Sequence, residues 1–272
     1  MSISEQLTYC TTKIISYLAD GTQSIGTGFF MNFNVNHAEN SCQPVVLTNK
    51  HVIAGATKIE ISICKADDNN NNPKDTEKFK ITFDEYNVIN HPDSNVDLCA
   101  ISIAGAENVI RDNNIKLYKG SFDTSLIITE DECKDCSAME DIIMIGYPDG
   151  LEDSYNNKPI IRKGITSTHV KNNYNNKKEF LIDMACFPGS SGSPVFLCNE
   201  NSYSKKGGVY IGSRVRLLGL LYAGPQHTSI GDIKFEYIPT TPKAVIHTPN
   251  NLGLVIKASR ILELEKIMKE IK

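Results

Sequence analysis

Short runs of apolar residues, alternating with polar ones or unbroken, dominate the chain, and turn residues separate them. They fall at residues 12–17, 28–33, 45–48, 58–64, 79–83, 98–103, 141–145, 160–165, 180–184, 194–197 and 214–222. Many are rich in Ile, Val, Phe or Tyr, and the pairs Asp20-Gly21 and Asp149-Gly150 mark turns between them. Strands at this density, with no helical pattern between them, predict an all-β barrel or sandwich rather than a βαβ sheet. Only the end of the chain reads as a helix. From Ala258 onward Ile261, Leu264, Ile267, Met268 and Ile271 share one face, with Glu263, Glu265, Lys266, Lys269 and Glu270 on the rest. Such a face predicts a closing helix packed on the body of the protein. Two polar stretches, 67–75 and 171–178, read as exposed loop tips. The acidic, weakly patterned segment around 120–140 reads as a link between two halves.

Composition narrows the classes. The 272 residues are 40% hydrophobic and 22% charged, ordinary for a globular protein, and the net charge is −4. An acidic balance argues against nucleic acid and anionic membrane as partners, and no apolar stretch approaches the roughly 20 residues of a membrane span. The first residues, MSISEQLTYC, carry no basic group ahead of an apolar run and read as no secretory signal, so a cytoplasmic location is expected. The eight cysteines are then expected as reduced thiols.

Three segments carry candidate chemistry: VVLTNKHVIAGA (45–56), HPDSNVDLCAISI (91–103) and FPGSSGSPVF (187–196). Each pairs one reactive side chain, His51, Asp97 or Ser191, with a strand. A serine hydroxyl is a poor nucleophile at neutral pH. It needs a histidine to take its proton and a carboxylate to hold that histidine in the right tautomer. Gly189 lets the backbone turn so that its N–H and that of Ser191 converge, which is the requirement of an oxyanion hole.

With these residues in the order His, Asp, Ser, the chain resembles the trypsin-like (chymotrypsin-fold) serine proteases, in particular bacterial intracellular members. GTGFF (26–30), the pair His91-Pro92, IGYPDG (145–150), RKGITS (162–167) and LGLLYAG (218–224) extend the resemblance over most of the chain. It implies two antiparallel six-stranded β-barrels, a first at 1–118 carrying His51 and Asp97 and a second at 141–256 carrying Ser191. Residues 119–140 would link them and 257–272 would form the terminal helix. It also implies a serine endopeptidase working through an acyl-enzyme without metal or cofactor. His51 would be the base, Asp97 its orienting acid and Ser191 the nucleophile, with oxyanion donors from Gly189 and Ser191. Tyr222, Ala223 and Gly224 would pair with the substrate main chain and line the pocket, and Ala185 and Cys186 would contribute to it.

Two departures from the family pattern matter. Members activated by a freed N-terminus carry an acidic residue directly before the nucleophile, and here that residue is Ser190. The specificity position six residues before the nucleophile is Ala185, so the pocket is expected to favour a small or medium apolar side chain.

His91 and Asp93 read as structural or turn residues beside the triad. Cys133 and Cys136 form a C-x-x-C pair without the further ligands that zinc requires, and Cys186 reads as a pocket-wall thiol. The expected partners are a protein or peptide substrate and a regulatory protein, with narrow substrate choice. The alternative function is a catalytically silent binding module of the same fold, or a protease opened by a partner.

Overall fold

The computed structural model describes residues 1–83, 88–205, 208–232 and 243–270. After a one-and-a-half-turn helix α1 (Ile3–Thr8), the first half is a sheet built from β1 (Thr11–Leu18), β2 (Gln23–Asn36), β3 (Ser41–Thr48), β4 (Ala56–Ala66), β5 (Pro73–Phe83), β6 (Val88–Asn90) and β7 (Cys99–Ser102). These run in the order β5-β4-β1-β2-β3-β7-β6. Short strands β8 (Leu117–Tyr118) beside β4 and β9 (Phe122–Asp123) beside β2 complete nine. All pairings are antiparallel except that of β9 with β2. Helix α2 (Ala104–Asp112) follows β7.

The second half is a closed six-stranded barrel. Its strands are β10 (Asp141–Gly146), β11 (Ile160–Thr166), β12 (Glu179–Asp183), β13 (Pro194–Asn199), β16 (Arg214–Ala223) and β19 (Leu252–Lys257), joined in the order β10-β11-β12-β19-β16-β13. Two hairpins project from it, β14 (Ser202–Lys205) with β15 (Gly208–Ile211), and β17 (Gln226–Asp232) with β18 (Lys243–Pro249). The expected all-β class and the closing helix are therefore present; of the two six-stranded barrels expected, the second half is one, while the first half is a nine-stranded sheet because β8 and β9 add to its seven strands. Within the segment that reads as a weakly patterned link lies helix α3 (Glu130–Asp135), whose start is fixed by a capping box between Thr129 and Glu132.

The unbroken apolar runs bury both faces of their strands. On β3, Val46 faces the interior of the first half with Ile14, Phe30, Ile59 and Ile101, while Val45 and Leu47 face the opposite way. On β10 and β13, Ile142, Met144, Val195 and Leu197 fill the barrel, while Ile143, Ile145 and Phe196 turn outward to meet Val45, Leu47, Phe29 and Met31. The period of two thus divides each strand between a private core and a shared one that holds the halves together. Helix α4 (Ser259–Glu270) seals this shared core with Ile261, Leu264 and Met268. Ile267 is only half-buried, and Ile271, assigned to the same face by its spacing, lies outside the described residues.

Candidate active site

β3 delivers His51. The strand ends at Thr48, Asn49 keeps extended backbone angles, and a single 3-10 turn, Lys50–Val52, swings the imidazole out so that half of it remains exposed. Opposite it, the loop from His91 to Leu98 presents Asp97. Its Oδ2 pairs with His51 Nδ1, and its Oδ1 accepts the His51 backbone N–H at 3.1 Å. The carboxylate thus grips the same residue by side chain and main chain, which fixes the ring plane and leaves Nε2 as the free imidazole nitrogen. Asn49, fully buried, donates from Nδ2 to the Asp97 carbonyl at 2.7 Å, and Lys50 Nζ donates to the carbonyls of His91 and Asp93. Burial would raise the Asp97 carboxyl, but the hydrogen bond and charge of His51, with backbone N–H groups of His51 and Lys50, hold it below its ordinary value. His91 is buried, with Nδ1 accepting the Asp93 N–H, and Asp93 Oδ1 caps the turn at Asn95; neither touches His51.

Ser191 sits in the loop ahead of β13. The backbone N–H of Thr27, on β2, donates to the Ser191 carbonyl at 2.9 Å. The Thr27 hydroxyl donates to the Gly189 carbonyl at 2.9 Å and accepts the Tyr147 N–H, and the Thr27 carbonyl accepts the Thr48 hydroxyl at 2.8 Å. Through this one buried residue, the strand that carries His51 is bonded to the loop that carries Ser191. Gly192 has φ +86, and any Cβ there would run into the Thr27 carbonyl, so the close approach requires glycine.

Gly189 has φ +82 and follows Pro188 in a turn closed by the Ser190 N–H donating to the Phe187 carbonyl. Proline followed by glycine at positive φ is type II turn chemistry. The Pro188 carbonyl is held by the Asp149 N–H at 2.6 Å. Because C=O and N–H oppose one another across a trans peptide, the Gly189 N–H points away from Asp149.

A cavity of about 180 Å³ lies beside Ser191, walled by Cys186, Phe187, Pro188, Leu221, Ala223 and Gly224. Tyr222, expected in this wall, instead turns its hydroxyl to donate to Glu179 at 3.0 Å, and Ala185 contributes its backbone carbonyl elsewhere rather than a wall. Burial pushes the Cys186 thiol up to about 11, which removes it as a competing thiolate near neutral pH. Cys133 and Cys136 are free thiols around α3. Among the described residues no group of three or more His, Cys, Asp or Glu is arranged to hold a metal ion.

The role of one residue gave no signal, although RKGITS (162–167) begins with it. Arg162, on β11, sends its guanidinium under the 185–190 loop, where Nη1 donates to the Ala185 carbonyl at 2.6 Å and to Ser190 Oγ at 3.0 Å.

Residues 26–202, a span that includes His51, Asp97 and Ser191, match the trypsin-like peptidase domain family. The chain belongs to that family. Within this trypsin-like peptidase, Asp97 pairs with His51, and both lie with Ser191 inside the matched span. Solved structures agree on the fold. The HtrA-type protease AlgW with tripeptide is 18% identical, with TM-score 0.51, over 98% of this chain and 61% of that one. A variant of AlgW with tripeptide is 17% identical, with TM-score 0.52 and the same coverage. This trypsin-like peptidase chain thus spans about three-fifths of the length of the structures it resembles. No curated protein sequence matches it at a significant level. No helix among the described residues is long and apolar enough to cross a membrane.

Proposed function

We propose that this chain is a serine endopeptidase acting through His51, Asp97 and Ser191. The observation that carries the reading is the double grip of Asp97 on His51, through Nδ1 and through the backbone N–H. It leaves Nε2 to take the Ser191 hydroxyl proton as Oγ attacks the scissile carbonyl. The Gly189 and Ser191 N–H groups would receive the developing oxyanion. The turn supports this, since its anchored Pro188 carbonyl sets the orientation of the Gly189 N–H. Protonated His51 then gives its proton to the leaving amine, and water, deprotonated by His51, hydrolyses the acyl-enzyme. No metal or cofactor enters these steps.

Protein or peptide is the substrate class the family supports. The cavity of about 180 Å³ beside Ser191 supports a pocket for the side chain before the scissile bond.

A fluorophosphonate probe tests the reading. Wild-type protein should be labelled, and Ser191→Ala and His51→Ala should not, while both variants keep the wild-type melting temperature within a few degrees. Labelling that survives Ser191→Ala would sink the assignment.

A further inference from the structure

We propose that the pocket beside Ser191 selects an acidic side chain before the scissile bond, and that Arg162 is the residue that selects it. The proposal rests on the endopeptidase reading and names its substrate class.

Among the described residues Arg162 meets neutral acceptors alone. Nη1 donates to the Ala185 carbonyl and to Ser190 Oγ, while Nε and Nη2 are buried with no hydrogen-bond partner among those residues. No carboxylate among the described residues forms an ion pair with it. Asp149 is near enough for its charge to be felt, but it makes no contact. Proteins seldom leave a buried charge in this state, because desolvating a guanidinium is costly unless a counter-charge and acceptors replace the lost water. An arginine fork with two idle donors matches a carboxylate.

Placement decides where that carboxylate comes from. The guanidinium is tied to the residues on either side of the cavity wall, Ala185 just before Cys186 and Ser190 just before the nucleophile. Its charge reaches the Cys186 thiol, which lines the cavity. Cys186, a wall residue of the cavity, thus lies in the chain between the two residues that hold the guanidinium. The walls themselves are neutral, so nothing in the lining screens this field or competes for the substrate charge. The volume, about 180 Å³, admits an acidic side chain. The apolar preference expected from Ala185 considers the wall alone; the charge behind it changes the expected chemistry.

The test uses peptides that differ only at the residue before the scissile bond, with Asp, Asn, Glu, Ala, Leu and Arg compared by kcat/KM. Asp and Asn are nearly isosteric, so their ratio isolates charge. Wild type should cleave after Asp at least about tenfold faster than after Asn. Arg162→Met should bring that ratio close to one, and Arg162→Lys should keep part of it, whatever the overall rate of each variant. Binding of the same peptides to Ser191→Ala provides the ratio without turnover, and serves also if Arg162→Met does not fold. Equal use of Asp and Asn by a wild type that takes the fluorophosphonate would overturn the acidic preference and leave the endopeptidase standing. A ratio retained in Arg162→Met would overturn the role of Arg162. Failure of the wild type to take the probe and to cleave any peptide would remove the endopeptidase reading and this proposal with it.

Discussion

Thr27 and Ser191 belong to opposite halves of the molecule, and the N–H of Thr27 donates to the Ser191 carbonyl at 2.9 Å. The Thr27 side chain extends the same connection to Gly189 and Tyr147. The nucleophile loop therefore takes its position from the strand pair that also places His51, rather than from the barrel alone.

Thr27→Val keeps the backbone bond and removes the hydroxyl. It strands the Gly189 carbonyl and the Tyr147 N–H in a buried place, at a cost of about 1–3 kcal/mol. Displacement of the oxyanion turn should lower kcat/KM by about 10- to 100-fold with little change in KM. Urea unfolding and peptide kinetics on the same preparation check both figures. An unchanged kcat would show that the turn holds itself.

Gly192→Ala places a methyl group against the Thr27 carbonyl at a positive φ. The backbone strain alone costs about 1–2 kcal/mol, and the clash must also push the halves apart. The variant should lose fluorophosphonate labelling and melt several degrees lower. Ser193→Ala, one residue nearer the strand, should not reproduce that loss.

Asp97 makes a prediction on the acid side. Its carboxyl lies below its ordinary value in the folded protein, so its contribution to stability is fully present above the unfolded value of about 3.9. That contribution fades as the pH falls through the lower folded value. Unfolding free energies measured between pH 5 and pH 2.5 should therefore fall more steeply in wild type than in Asp97→Asn. At neutral pH the same variant loses the group that fixes the His51 tautomer, and kcat should drop by about 10³–10⁴. Parallel acid slopes for the two proteins would show that the pair adds nothing to folding.

Leu264 is fully buried where α4 meets both halves. Leu264→Ala should cost about 2–5 kcal/mol in urea unfolding, whereas Leu262→Ala, on the exposed side of the same helix, should stay within about 0.5 kcal/mol. Similar losses for the two would mean that the helix is not part of the cooperative unit.

The strands and the His, Asp and Ser of the candidate site were legible in the sequence because each sits inside a local pattern. Period-two burial marks the strands, and glycine, serine and proline mark the nucleophile turn. The role of Arg162 is not legible. RKGITS marks its strand, but the fold alone brings its guanidinium to a carbonyl 23 residues further on. The role of Thr27, inside GTGFF, escapes in the same way, since a threonine in a strand declares nothing about the hydroxyl bonds it makes to the other half. Tyr222 was placed correctly as to strand, but the bulge between Leu221 and Ala223 in the pairing with β19 accompanies a side chain turned to Glu179. Helices α1 and α3 were missed although their signals were present. Ser2 with Glu5 and Thr129 with Glu132 are capping boxes written in the sequence, obscured because the helices they open are only six residues long.

β19 closes the barrel by pairing with β12 on one side and β16 on the other. Its residues, 252–257, are translated well after the nucleophile and long after His51. While the chain is still being synthesised, the sheet with His51 and Asp97 has its own core to fold around, but the barrel that shapes the Ser191 loop lacks one of its staves. Closure of the barrel around the Ser191 loop therefore waits until β19 has left the ribosome.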